Sequence, residues 1–274
     1  MVRVIGIGDN VCDRYYPAMV MYPGGQAMNV AVFAKMLGAD AAYLGVFGRD
    51  SMAEHVISTL DELGVDRSRC RQYDGENGYS KVHLEGGERR FIMSNRGGVA
   101  REHPLELDAQ DLRYIGGFDV AHTSNNGHFD SQLGKVRSLG VPVSYDFSWR
   151  WRESYYREVV APLADFAFFS GGDAPLDDVK VACEEFSSCG PRVVVGTLGG
   201  RGAVAYDGSR FYYQGARPAK AVDTLGAGDS FAAAFLVSYL TDGEIGPAME
   251  LGAEHAARTC EVHGAFGHGV RFEE

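Results

Sequence analysis

The sequence predicts an α/β protein: a mostly parallel sheet with helices on both faces and one small β appendage. β-branched, strand-like runs alternate with stretches of helical periodicity along most of the 274 residues, beginning in the order strand, helix, strand, helix. The alternation breaks between Arg69 and Arg96 into short polar-apolar repeats punctuated by Gly75, Gly78, Gly86 and Gly87, a hairpin pattern that supplies the appendage.

Taken in order, Val2 to Ile7 is a β-branched strand ending at Gly8-Asp9. Ala27 to Leu37 has apolar residues at helical spacing, and Gly38 follows as its C-terminal cap. Ala42 to Phe47 reads as a strand, and Ser51 to Leu63 as a helix with Ser51 at the N-cap and Gly64 past its end. Strands are expected again at Val120 to His122, Val141 to Asp146, Phe166 to Ser170 and Val193 to Thr197. Ala203 to Tyr206 and Phe211 to Tyr213 form an antiparallel hairpin through Asp207-Gly208, near the sheet edge. Two helices, Asp229 to Leu240 and Pro247 to Val262, close the chain.

A chain of this length with 45% hydrophobic residues buries a full core and lies near the upper limit for one compact domain. The net charge of -11 argues against non-specific nucleic-acid binding, which needs a basic face to displace counterions. It does not exclude a nucleotide, because charges beyond about 8 Å are largely screened at physiological salt. Five cysteines without a CxxC pair read as reduced thiols, and no leader or long apolar run is visible, so a soluble cytoplasmic protein away from membranes is expected.

The chemistry is concentrated in Asp223-Thr224-Leu225-Gly226-Ala227-Gly228-Asp229-Ser230-Phe231, ahead of an apolar helix. Small residues let backbone approach a ligand closely, and the first N–H groups of a helix are unpaired donors at the positive end of its dipole. Gly226, Ala227 and Gly228 would thus form an anion hole, with Asp229 at its lip able to take a proton from an attacking hydroxyl. Alone, the same residues also fit a glycine turn before a core helix, with Asp229 as a helix-start carboxylate.

The segment resembles the C-terminal signature of the PfkB, or ribokinase-like, family of carbohydrate kinases, and two further segments strengthen the resemblance. Gly24-Gly25-Gln26-Ala27-Met28-Asn29 is similar to the family's N-terminal Gly-Gly motif, and Asp13 matches its sugar-binding aspartate. Thr197-Leu198-Gly199-Gly200-Arg201-Gly202 is similar to its nucleotide segment. The resemblance runs from Gly8 to Gly264 and implies a single three-layer α/β/α domain over residues 1–274, with a small β lid from about 12–23 and 70–98. It also implies sugar binding by Asp13, Gly24, Gly25 and Asn29, nucleotide binding by Thr197, Gly199 and Gly202, and ATP with Mg²⁺ as cofactors. An exposed lid edge favours dimerisation through the lid, because unpaired strand edges tend to be covered, and dependence on a monovalent cation is left open by the sequence.

One segment departs from the family pattern. Where most members carry Asn-x-x-Glu, this chain has Ser170-Gly171-Gly172-Asp173, with shorter side chains, so a metal reached through water from Asp173 would sit differently. That segment, Ile7-Gly8-Asp9-Asn10, Tyr145-Asp146-Phe147-Ser148 and His263-Gly264-Ala265-Phe266 are together similar to the fructoselysine 6-kinases. This implies transfer to a sugar-amine adduct, with fructokinase or ribokinase chemistry as the alternative and a sugar-sensing protein as a remoter one. An adduct of this kind carries an ammonium, for which Asp9 or Glu85 is a candidate partner unless both are simply solvated.

Other signals lead elsewhere. Gly6-x-Gly8 lacks the third glycine of a dinucleotide fingerprint, and no P-loop is present. His263 and His268 lack the Cys or acidic partners of a metal site. Trp149-Arg150-Trp151-Arg152 reads as packing or solvent-facing charge, and Tyr15, Tyr16 and Tyr22 either stack on a ligand or pack the lid.

Overall fold

The protein is described by a computed structural model covering the backbone of residues 1–85 and 88–273, and the side chains of these except 84, 85, 88 and 89. Its strands are β1 (Arg3–Gly8), β2 (Val11–Tyr16), β3 (Val20–Gly24), β4 (Asp40–Phe47), β5 (Arg71–Gln72), β6 (Tyr79–Glu85), β7 (Glu88–Ser94) and β8 (Val120–Ser124). They continue with β9 (Val143–Asp146), β10 (Phe166–Ser170), β11 (Val193–Thr197), β12 (Ala203–Tyr206), β13 (Phe211–Gln214) and β14 (Val270–Arg271). The α-helices are α1 (Gln26–Met36), α2 (Ser51–Leu63), α3 (Val99–Glu102), α4 (Ala109–Ile115), α5 (Leu133–Arg137), α6 (Leu176–Cys189), α7 (Ala227–Asp242) and α8 (Ile245–Thr259).

Nine strands form the large sheet in the order β13-β12-β11-β10-β9-β8-β1-β4-β5. All pair in parallel except at the β11–β12–β13 edge, where the expected antiparallel hairpin sits. From β1 the chain first builds outward through β4 and β5, then returns to build β8 to β11 on the other side. The reversal falls between β1 and β8, and open α/β sheets bind ligands at such a point, beyond the carboxyl ends of the strands.

The sheet is covered on both faces. Phe33 of α1, Val56 of α2, Phe235 of α7 and Met249 of α8 pack on one side. Ile115 of α4, Val136 of α5 and Phe186 of α6 pack on the other. The three-layer α/β/α arrangement follows because the central strands are apolar on both faces and no single layer would bury them.

A second sheet runs β14-β3-β2-β6-β7. It differs from the expected appendage in two ways. Arg71–Gln72 pairs with β4 at the edge of the large sheet, so the segment from 70 to 72 belongs there. The C-terminal Val270–Arg271 joins β3 as an extra edge strand, since Val20 and Met21 offer it an unpaired ladder. Gly86 and Gly87 lie outside the described residues.

Local chemistry explains the ends of α2. Asp50, not Ser51, caps α2: its side chain accepts the Ala53 amide at 2.8 Å, while Gly64 ends the helix in the left-handed region. Asp50 stands just ahead of the helix in extended backbone, from where its carboxylate reaches the third-residue amide, whereas Ser51 already lies inside the helix.

Candidate active site

The N-termini of α1 and α7 meet at the carboxyl edge of the large sheet. Asn29 in the first turn of α1 donates through Nδ2 to Oδ2 of Asp229 in the first turn of α7, at 2.6 Å. Both are buried, at 2% and 7% exposure, and Oδ1 of Asn29 has no hydrogen-bond partner among the described residues. The two ends of the chain, 200 residues apart, thus supply one polar centre.

α7 begins at Ala227 after Gly226, which is in the left-handed region with φ 76° and ψ -2° and offers no side-chain cap. A Cβ on Gly226 would stand 2.6 Å from the Cβ of Ala265, so only glycine allows this turn. Gly228, by contrast, has no foreign atom within 4 Å of where its Cβ would be and is exposed. Gly226 offers the first turn of α7 no side-chain cap, and the exposed Gly228 gives that turn an open face, a geometry suited to an anion.

Asp223, fully buried, organises this turn. Its Oδ1 accepts the Leu225 amide at 3.0 Å, and its Oδ2 accepts both the Tyr15 hydroxyl at 2.5 Å and the Gly264 amide at 2.9 Å. One carboxylate so ties the second sheet, the glycine turn and the C-terminal segment together. The sequence placed Asp223 in the motif without a role, because Tyr15 and Gly264, which it joins to the turn, lie 208 and 41 residues away. Tyr15 and Tyr22 meet edge to face at 5.1 Å, and burial together with the Asp223 charge pushes the Tyr22 phenol up.

Asp13 is buried on β2, and a Cβ on Gly24 would lie 2.6 Å from its Oδ2, so the missing side chain of Gly24 gives it room. Gly25, at φ 118°, lies against the backbone of Asp9 and Asn10, where a Cβ would come within 2.7 Å. Asp9 accepts the Gln26 amide at 2.9 Å and the Ala27 amide at 3.2 Å. It is thus the acidic cap of α1, a role that becomes visible only when β1 and α1 are side by side. Burial pushes its carboxyl up, partly offset by the Ala27 and Gln26 amides.

At the ends of β10 and β11, on the same edge of the sheet, lie Ser170, Asp173 and the loop from Thr197 to Gly202. Arg201 donates to the carbonyls of Gly172 at 2.7 Å and Ala174 at 2.8 Å, bracketing the exposed Asp173. Gly199 has φ 56° and open space around it, as a ligand-facing glycine would. Gly202 has a different reason to be glycine: a Cβ there would meet the Gln214 carbonyl oxygen of β13 at 2.0 Å. Among the described residues there is no group of three or more His, Cys, Asp or Glu side chains fit to hold a metal, and no helix is long and apolar enough to cross a membrane. His268 pairs with Glu62 at 3.5 Å, and all five cysteines are free.

The same architecture recurs in solved structures. A putative ribokinase II of Escherichia coli in complex with ATP and Mg²⁺ superposes with a TM-score of 0.82 at 19% identity, covering 97% of this chain and 95% of that one. A ribokinase of Arabidopsis thaliana complexed with ribose and ATP gives 0.79 at 20% identity, covering 97% and 94%. Among sequence relatives, a fructosamine kinase of Bacillus subtilis is 40% identical over 272 residues, 99% of this chain and 95% of that protein. A fructoselysine 6-kinase of Escherichia coli is 30% identical over 268 residues, 97% and 100% of the two chains. The family model for pfkB carbohydrate kinases matches residues 2–267, and with the meeting of Asn29 and Asp229 at the two helix starts, the chain belongs to the pfkB family of carbohydrate kinases.

Proposed function

We propose that this enzyme transfers the γ-phosphoryl group of ATP to a hydroxyl of a sugar-amine adduct of the fructoselysine type, giving the 6-phosphate. The Asn29–Asp229 hydrogen bond beside the uncapped start of α7 is the observation that supports the chemistry, and the 40% identical fructosamine kinase supports the substrate class. Asp229, oriented by Asn29, takes the proton of the attacking hydroxyl. The amides of Gly226, Ala227 and Gly228 stabilise the charge that spreads over the equatorial oxygens in flight. Asp13, Gly24, Gly25 and Asn29 hold the sugar under the second sheet, and Thr197, Gly199 and Gly202 border the nucleotide, Gly202 through the backbone turn it permits.

The donor set suits Mg²⁺ carried by ATP, since such ions take one or two carboxylates plus phosphate oxygens and water rather than a full protein cage. Asp173, between the two carbonyls that Arg201 holds, is the carboxylate assigned to reach it through water. Stimulation by potassium over choline would identify a monovalent cation as a further cofactor. The edge strand β7 exposes Phe91 and Ile92, each at 56%, and Met93 at 49%, a surface suited to pairing with a second copy and testable by sedimentation. Five free cysteines favour a cytoplasmic setting.

The test is ADP release with ATP and Mg²⁺ over fructoselysine, other glycated amino acids, fructose and ribose. Turnover confined to the free sugars would replace the substrate class and keep the kinase. Asp229→Asn should lower kcat about 10²- to 10⁴-fold with binding largely kept, and a near-normal rate would refute its role as the base.

A further inference from the structure

The crevice between β1 and β8, where the sheet reverses direction, carries two carboxylates that phosphoryl transfer does not use. In the β8–β9 register Ser124 lies beside Asp146, and continuing the β1–β8 register from Gly6 and His122 brings Gly8 level with Ser124. Asp9 and Asp146 therefore stand at the carboxyl ends of β1 and β9 with only the end of β8 between them. Asp9 bonds the Gln26 amide at the start of α1, and Asn29, three residues on, bonds Asp229, so the first turn of α1 links this crevice to the Asp229 centre.

Its lining is rich in acceptors. Oδ1 of Asp146 accepts the Ser148 amide at 2.6 Å, and the residue is 8% exposed. Asp9 accepts the two α1 amides and stands 3.5 Å from the Ser124 hydroxyl. Neither carboxylate forms an ion pair with a lysine or arginine among the described residues, and the charges acting on them are each other and His128. Burial, with the Asp9 charge adding to it, pushes the Asp146 carboxyl up to about 7.

Two buried oxygens beside them also lack partners among the described residues. Thr123, 2% exposed, leaves its hydroxyl unbonded next to Gly8, 3.4 Å from where a Cβ on that glycine would sit. Asn125, whose amide donates to the Asp146 carbonyl at 3.1 Å, leaves Oδ1 buried and unbonded. Buried acceptors without donors are costly, and two neighbouring buried carboxylates more so, unless a ligand brings N–H groups and positive charge.

We propose that Asp9 and Asp146 bind the protonated amine of a glycated amine substrate and so select amine-linked sugars over neutral ones. This rests on the kinase reading above. It fits the order of groups along the groove: the phosphorylated hydroxyl lies at one end of the sugar, by Asn29 and Asp229, and the amine at the other, towards the reversal point of the sheet. Of the two carboxylates considered from sequence, Asp9 is placed in this crevice; the Glu85 side chain lies outside the described residues.

The test compares the affinity and kcat/KM of wild type, Asp9→Asn and Asp146→Asn for a 1-alkylamino-1-deoxyfructose and its uncharged thioether isostere. Wild type should prefer the amine, and each variant should lower the amine-to-thioether ratio about 10- to 100-fold, the loss expected for a charge-assisted hydrogen bond. Asp146→Asn guards against misfolding in Asp9→Asn, since its amide oxygen can still accept from Ser148. A wild type that takes both ligands equally, or variants that keep the wild-type ratio, would overturn the niche while leaving the kinase. Absence of wild-type turnover on any glycated amine would overturn the substrate class and the niche together.

Discussion

Gly226 and Gly228 lie two residues apart in one turn, yet the structure assigns them opposite responses to the same methyl group. At Gly226 an alanine would have to hold φ 76° and ψ -2°, a left-handed conformation costing a non-glycine residue about 1–2 kcal/mol. Its Cβ would also stand 2.6 Å from Cβ and 2.9 Å from Cα of Ala265, far inside the ~3.5 Å contact distance of carbon atoms, and overpacking of this kind costs about 1–3 kcal/mol. Gly226→Ala should therefore lose roughly 2–5 kcal/mol of stability. Relief of the clash would move the start of α7, and a displacement near 1 Å at a reacting centre costs about 10²-fold in rate.

At Gly228 no foreign atom lies within 4 Å, and within a helix alanine is favoured over glycine by about 1 kcal/mol. Gly228→Ala should keep or slightly raise the melting temperature, yet lower kcat about 10- to 10³-fold by placing a methyl against the phosphoryl path. Thermal unfolding and steady-state ADP release on the two variants separate these outcomes. A Gly226→Ala protein with wild-type Tm would refute the steric reasoning, and a fully active Gly228→Ala protein would refute the placement of the phosphoryl group on that face.

Two further predictions concern buried acids. Tyr15→Phe removes a 2.5 Å hydrogen bond from the buried Asp223 and should cost about 1–3 kcal/mol, seen as a lower Tm, together with a higher KM for the sugar because the second sheet loses its tie to the glycine turn. An unchanged Tm and KM would show that the tie is dispensable. Asp146, with its carboxyl raised to about 7 against an unfolded value of about 3.9, binds its proton more tightly when folded. Its contribution to stability is fully present below about pH 4 and is lost as pH rises through about 7, with Asp9 and, through Asp9, His128 as the charged neighbours. Asp146→Asn should flatten the decline in Tm between pH 4 and 7; the same slope in both proteins would contradict this.

The sequence by itself determined the alternation of strands and helices, the antiparallel edge hairpin and the two glycine segments that frame the cleft, because periodicity, capping and glycine placement act over a few residues. Phe166–Ser170 and Val193–Thr197 fall where their β-branched and aromatic runs predicted. The tertiary structure decided what depends on distant partners. It put Val270–Arg271 into the second sheet and Arg71–Gln72 into the first, since which ladder a two-residue strand completes depends on which edge is free. It made Asp223 the hub of the glycine turn and Asp9 the cap of α1, and gave Gly202 a steric reason in β13. In each case the cause is a polar group or a backbone that comes close only after folding, so the local pattern that marked the residue held no record of its role.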